Sequence, residues 1–536
     1  MTLVQTPFKT LLKRANRRLD NFFHRCKDYN SALFLDPNLD IVISRLVSPS
    51  LVSECFKKVF TFQTNRNYFN YDKILILTTG IQAHLKQYID LLTNTNAPPK
   101  QIIMVFVNRC DYIARQYLEA HGFLHRISVE ELRLAAWILD PDLAILEMPN
   151  SFIDQIIDGG DFAVEQVSKI IKSFPIYQYF SNIFLIGDAA IRAGIDLIDN
   201  FYSAWTHIII IDRNVDLVTP FLSGFNYESL IAENFDIKYG IVKTPDGDPV
   251  LFSEEDNICV QIRNLSYSEA ADFVNTLTKE ISDEFEEAKN KPKTKEEIEK
   301  HCQTVLMNQS LHDHLKFMSH INEGFHKDLN LKINLLSELN CISGKELNRD
   351  FIREALAVSP DWRTTIRLFA LYNLTNPKTF ELDDLCQSII DRFGTEAMVA
   401  LWSLTDAKII GQKKKLYKWS TLFKKFKLYN PEITKNIEKP YEGYTPLTSK
   451  LIEKITKKQW NECQDILNEA KIPYKIASNR STELKRVLIV YIGGSTYGEI
   501  ATLRNLKYDL RVDFDVLTTE LLSCKSVINQ LAGIYE

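Results

Sequence analysis

The sequence lacks most of the features that mark a disulfide scaffold, a membrane span or a catalytic centre. Its nine cysteines (Cys26, Cys55, Cys110, Cys259, Cys302, Cys341, Cys386, Cys463 and Cys524) are scattered, odd in number and without a CxxC pair. That excludes a disulfide framework or zinc knuckle and favours a reducing compartment. No stretch approaches the roughly 20 uninterrupted apolar residues that a membrane span requires. The opening MTLVQTPFKTLLKRANRRLDNFF carries basic groups but no continuous apolar segment of the kind that directs secretion. An excess of positive charge is also missing: 64 Lys and Arg stand against 69 Asp and Glu, a net −5, which argues against bulk nucleic-acid binding while leaving room for local basic patches. There is no Ser-His-Asp arrangement, GxSxG elbow, HExxH pair or EF-hand loop. No catalytic residue, metal ligand or cofactor is therefore expected.

What is present is a large folded chain. With 536 residues, 45% hydrophobic and 25% charged, it has material for about three domains of ordinary size. The first 130 residues or so alternate short apolar runs (32–35, 73–79, 101–107) with stretches of helical periodicity (81–92, 110–121), the pattern of a parallel sheet flanked by helices. A second α/β region follows, with candidate strands at 143–148, 182–186 and 207–211. Beyond Tyr227 the chain reads mostly as helix until KRVLIVYI (485–492) restores one buried strand. A lone strand, turn and helix there has no sheet of its own, so the helical region reads as an insertion into the second α/β domain.

Inside that insertion, Ala270, Phe273, Val274, Leu277, Ile281 and Phe285 recur at steps of three and four, an apolar stripe on one helix. Pro292 ends it, and Thr294 with Glu297 forms a capping-box pattern opening a second helix. Its stripe runs Ile298, Cys302, Val305 and Leu306. The intervening tip is densely charged and suited to project towards solvent or a partner.

Four segments raise the question of chemistry. HIIIIDRNVDLVTPF (207–221) places acids where open α/β enzymes put reactive groups, at the end of a buried strand. It resembles the nucleophile strand of haloacid-dehalogenase-type phosphatases, but Asn214 stands where their second carboxylate belongs and cannot exchange a proton. The other reading is a self-satisfied corner in which Asp212, Arg213 and Asp216 pair with one another and with loop amides. IGGSTYGEIATL (492–503) follows a strand and opens a helix, yet it has neither the Walker lysine nor GxGxxG spacing. There Gly493 and Gly494 read as a tight turn and Thr496 with Glu499 as a cap. Five histidines (His301, His312, His314, His320, His326) fall close together without ligand spacing and read as a solvated helix face. Finally, KKKLYKWSTLFKKFKLY (413–429) carries seven lysines interleaved with aromatics; a membrane surface, a nucleic acid and a partner helix compete with a helix whose aromatics enter the core.

IIIIDRNVDLVTPF followed by NYESLIAENF resembles the signature of the SM (Sec/Munc) family of SNARE-binding proteins. LDPDLAILEM (139–148), YEGYTPLTSKLIE (441–453) and VYIGGSTYGEIATLRNL (490–506) extend the resemblance in the family's order, the last two towards its class C vacuolar protein sorting branch. The resemblance implies an α/β plus α fold, a three-domain arch. Its parts are an N-terminal α/β domain (1–133), a discontinuous second α/β domain (134–233 with 482–536), and an inserted helical domain in two halves (234–345 and 346–481). It implies no enzyme but a fusion chaperone that holds SNARE helices, syntaxin-like and R-SNARE, in register for zippering. Such a protein serves as a subunit of HOPS- or CORVET-type tethering complexes, cytoplasmic and held peripherally, through partners, on endosomal and vacuolar or lysosomal membranes. By the family's layout Phe285, Lys289, Pro292 and Lys293 form the SNARE-facing hairpin tip. The second helical half docks a class C scaffold subunit, with Trp419 and Leu422 as candidate anchors or, equally, core residues. Asp212, Arg213, Asp216, Pro220, Gly493, Gly494 and Glu499 are then structural signature positions.

Overall fold

The computed structural model describes residues 7–27, 30–36, 39–61, 71–80, 82–93, 99–107, 110, 112–132, 134, 136–174, 179–180, 182–198, 202–289, 295–327, 331–343, 353–354, 357–359, 361–376, 383–411, 419–477 and 486–534. The chain forms two compact units, Met1–Ile138 and Leu139–Glu536.

The first unit is built on a five-stranded sheet in the order Lys58–Thr61, Ser31–Leu35, Lys73–Thr78, Gln101–Val107, Ser128–Leu132, parallel throughout. The three apolar runs read from sequence are its central strands. They carry side chains of both faces into the interior, as helix-covered parallel sheets require. Helix Gln82–Thr93 and helix Tyr112–Ala120 seal one face through Leu85, Tyr88, Ala114 and Leu118. Helix Pro7–Cys26 buries Phe8, Leu11, Ala15, Leu19 and Phe23 and turns its other side to solvent.

The second unit contains a seven-stranded sheet ordered Tyr474–Ala477, Asn182–Ile186, His207–Asp212, Arg486–Ile492, Asp513–Thr518, Leu143–Ile145, Trp137–Asp140. Strand His207–Asp212 pairs in parallel with Arg486–Ile492, from His207 opposite Val487 to Asp212 opposite Ile492. The mostly helical chain between them is therefore inserted, except that strand Tyr474–Ala477, which the sequence reading assigns to the helical half 346–481, belongs to this sheet. The lone-strand reading of the C-terminus needs correction, because Asp513–Thr518 is a second parallel strand beside Arg486–Ile492. It escaped notice because DFDVLT carries a buried acid, Asp515, which Arg486 holds with two hydrogen bonds and to which the Trp205 indole N–H donates. An antiparallel edge strand, Tyr474–Ala477, closes the other side.

In the inserted region, helices Tyr267–Lys289 and Lys295–Lys327 form the expected hairpin. Its root buries Ala270, Val274, Ile281, Leu311, Phe317 and Ile321 in a common core with the neighbouring elements. Helices Trp362–Thr375, Asp383–Phe393, Thr395–Asp406 and Trp419–Phe426 follow.

Candidate functional site

The acid cluster that ends strand His207–Asp212 is a closed corner. Asp212 is 2% exposed, and both its oxygens are engaged: Oδ1 accepts from the Gln155 amide at 2.9 Å and the Asn214 N–H at 2.9 Å, Oδ2 from the Ala189 N–H at 3.0 Å. Burial pushes its carboxyl above the usual range, against the pull of those amides. A phosphatase nucleophile needs an open line of attack on a substrate. This carboxylate has spent its lone pairs on the fold, and the phosphatase reading finds no support in it.

The next residue carries the corner's positive charge. Arg213 is fully buried; its Nε donates to the Asp216 carbonyl at 2.9 Å and its Nη1 to Glu499 at 2.8 Å. Burial alone lowers its hold on the proton, but Glu499 and Asp216 more than reverse this and the guanidinium stays above its ordinary range. Asp216 in turn accepts from the Val218 and Thr219 N–H groups, the Thr219 hydroxyl and the Leu447 N–H, which fixes the turn containing the buried Pro220. Glu499 accepts from Thr448 and Thr496, and Thr496 caps helix Tyr497–Leu510 in the expected capping box.

Gly493 and Gly494 adopt φ of +88° and +90°, which side chains resist, and a Cβ on Gly493 would stand 2.6 Å from Gln155 Cγ and 2.8 Å from Arg213 Cβ. Both glycine N–H groups donate to the Thr519 hydroxyl, at 3.1 and 2.9 Å. Those are the groups a phosphate-binding loop would direct at its ligand, so the turn is structural.

A second buried arginine does the same for two other segments. Arg504 reaches Asp140 at 2.7 Å, both oxygens of Asp142 at 3.1 Å and Glu228 at 3.4 Å, and Arg263 shares Asp140 at 2.8 Å. Asp140, Asp142, Glu228 and Arg504 lie in stretches that carry the family resemblance, though the sequence singles out none of them, and Arg263 lies outside those stretches. Through Glu499 and Arg504, both on helix Tyr497–Leu510, the segments 139–148, 207–221, 226–235 and 441–453, remote in the chain, are each tied to segment 490–506.

The hairpin root is held by polar contacts as well as by packing. Asp256 caps helix Asn257–Ile262, accepts from Ser310 at 2.8 Å and pairs with His314 Nε2 at 3.2 Å, while His314 Nδ1 meets the Tyr227 hydroxyl at 2.9 Å. Burial works against the Asp256 charge, but His314, the Cys259 N–H and Ser310 outweigh it and hold the carboxyl below its ordinary range. His314, 1% exposed, is thus not on a solvated face as the histidine cluster suggested; His312 and His320 are. Among the described residues no group of three or more His, Cys, Asp or Glu side chains is placed to hold a metal ion.

The hairpin-tip positions fall at the edge of what is described. Phe285 and Lys289 lie in the last turns of helix Tyr267–Lys289, with their side chains outside the described set; Pro292, Lys293, Thr294 and the stripe Ile298, Cys302, Val305, Leu306 lie outside it in the same sense or altogether. Of the lysine-rich segment, helix Trp419–Phe426 is described, and it decides between the two readings of Trp419 and Leu422. Both are buried, Trp419 at 2% exposure with its indole N–H donating to the Ile342 carbonyl, while Lys424, Lys425 and Lys427 face solvent. As surface anchors the pair needs correction: helical spacing places the aromatic side inward and the lysines outward.

The Sec1 family model matches residues 31–530. The chain belongs to the Sec1 family. Among its curated relatives are the vacuolar protein-sorting-associated protein 33 homolog of Arabidopsis thaliana, 22% identical over 97% of this chain and 96% of that protein, and vacuolar protein sorting-associated protein 33A of Rattus norvegicus, 23% identical over 97% of each. Among solved structures, the SM protein Vps45 in complex with the Qa SNARE Tlg2 covers 98% of each chain at a TM-score of 0.62 and 15% identity. The Unc18–syntaxin 1 complex of Monosiga brevicollis covers 98% of this chain and 99% of its own at 0.58 and 14%. In this Sec1 protein, the segments that carry the family resemblance are those joined by Glu499 and Arg504. None of their buried charges is open to a substrate. No helix among the described residues is long and apolar enough to cross a membrane.

Proposed function

We infer that this Sec1 protein binds SNARE helices and assists their assembly in vesicle docking and fusion. Membership of the Sec1 family across 31–530 carries the reading. It is supported by two long helices, Tyr267–Lys289 and Lys295–Lys327, standing on a root fixed by Asp256, His314 and Tyr227. A rigidly mounted helical hairpin offers a disordered amphipathic partner a preformed face and lowers its ordering cost. Phe285, Lys289, Pro292 and Lys293 are the tip positions assigned to that contact.

The similarity to vacuolar protein sorting-associated proteins 33 favours the finer reading: a subunit of a HOPS- or CORVET-type tethering complex at endosomes and the vacuole or lysosome, docked on a class C scaffold subunit through the 346–481 region. With Trp419 and Leu422 buried, the anchor for that subunit passes to exposed residues, of which Trp402, 60% exposed on helix Thr395–Asp406, is the foremost. Capture of a Qa-SNARE cytoplasmic domain and an R-SNARE helix by the purified chain, with its scaffold subunit present, tests the reading. Retention of both supports it, and capture of neither overturns it.

A further inference from the structure

Helix Pro7–Cys26 has an unusual division of labour. Its apolar side is consumed by the core of the first unit, yet its solvent side is almost wholly cationic. Lys9, Lys13, Arg14, Arg17 and Arg18 are all exposed, and Asp20 is the helix's single acid. Lys9, Lys13 and Arg17, four residues apart, line up at about 6 Å intervals on a helix about 30 Å long. Arg25 is engaged with Glu130 and with the Phe22 ring, but among the described residues neither Lys13 nor Arg17 has an ion-pair partner.

The charge of the chain is divided in the same sense. Residues 1–138 hold 18 Lys and Arg against 11 Asp and Glu, a formal +7, whereas the remainder holds 46 against 58, a formal −12. A net charge of −5 conceals this asymmetry, which is the kind that marks a charged partner surface.

We propose that the solvent face of helix Pro7–Cys26 docks the protein directly on a membrane whose surface is rich in anionic lipid headgroups. The extended line of positive charge suits a broad anionic surface. The helix's aromatic residues Phe8, Phe22 and Phe23 are buried, so it offers no stacking platform for single-stranded nucleic acid. Because its apolar side is already occupied, the helix rests on the headgroups without inserting, unlike an amphipathic anchor that wedges its apolar face between acyl chains. This contact is the chain's own and does not depend on SNARE or scaffold binding.

The test is co-flotation of the full chain with phosphatidylcholine vesicles with and without phosphatidylserine. Each Lys or Arg near such a surface is worth roughly a fivefold factor in affinity. The protein should float with the serine-lipid vesicles only, and release at about 1 M salt, where the screening length is about 3 Å. Lys13→Ala with Arg17→Ala should weaken binding roughly 30-fold, whereas Lys424→Ala with Lys427→Ala, equally exposed lysines of the second unit, should leave it unchanged. Both pairs replace solvent-facing side chains, and unchanged melting temperatures verify that the variants fold. No flotation, equal flotation with neutral vesicles, equal loss in both double variants, or release of the vesicles by a tighter-binding oligonucleotide would each overturn the proposal.

Discussion

Arg213 and Glu499, 286 positions apart in the chain, meet at 2.8 Å with both side chains fully buried. The pair links the end of strand His207–Asp212 to the first turn of helix Tyr497–Leu510, across the whole inserted region. Removing Glu499 leaves the buried guanidinium with Asp216, at 3.8 Å, and breaking a buried ion pair in this way costs about 3–5 kcal/mol. Glu499→Gln should therefore lower stability in chemical denaturation by about that amount, and Arg213→Met, which takes the counter-charge from both Glu499 and Asp216, should cost at least as much. A neutral Glu499→Gln would show that the pair's value lies elsewhere.

Gly493 predicts a different kind of loss. Its φ of +88° strains any side chain, and the added Cβ meets Gln155 and Arg213 at under 3 Å. Gly493→Ala should cost about 1–3 kcal/mol from backbone strain alone, read as a fall in melting temperature. A neutral substitution would contradict the turn as described.

Two carboxyls give the protein a specific pH response. Glu147 and Glu520 follow adjacent parallel strands; burial raises them to about 7 and about 8, against hydrogen bonds from the Tyr239 N–H and the Gln530 amide respectively. The folded state then holds protons that the unfolded chain has released. Their contribution is fully present below the ordinary glutamate range and is lost as pH rises through about 7 to 8. Glu520→Gln cannot ionise, so it should match the native chain in melting temperature at about pH 4 and exceed it increasingly towards about pH 9. A difference independent of pH would refute the assignment.

Two tryptophans of the helical region should separate stability from binding. Trp419 lies in the core, and Trp419→Ala should cost about 3–5 kcal/mol. Trp402 is largely exposed, so Trp402→Ala should leave the melting temperature within a degree or two (roughly 0.5 kcal/mol) while weakening capture of the scaffold subunit. The opposite pattern would return the anchor to Trp419.

Much of this was legible because the physics acts locally. The strands Gln101–Val107, Asn182–Ile186 and Arg486–Ile492 are buried on both faces and therefore read as unbroken apolar runs. The insertion followed from a strand that needed a sheet. Strand Asp513–Thr518 stayed hidden because Asp515 breaks its apolar run and is neutralised by Arg486, a partner no local window contains. His314 was misjudged for the same reason: its partners Tyr227 and Asp256 lie 87 and 58 residues away. Arg504 answers to Asp140 across 364 residues. Spacing reports which face of an element is apolar, but it cannot report which buried charge will find its counter-charge.

The central claim is that the hairpin is where this Sec1 protein engages SNARE helices. It is tested most directly by measuring the affinity of the full chain for a Qa-SNARE helix, native against Phe285→Ser with Lys289→Glu. The account predicts a loss of about tenfold or more, about 1.4 kcal/mol, in a variant that still melts cooperatively. Undiminished affinity in the variant would contradict it.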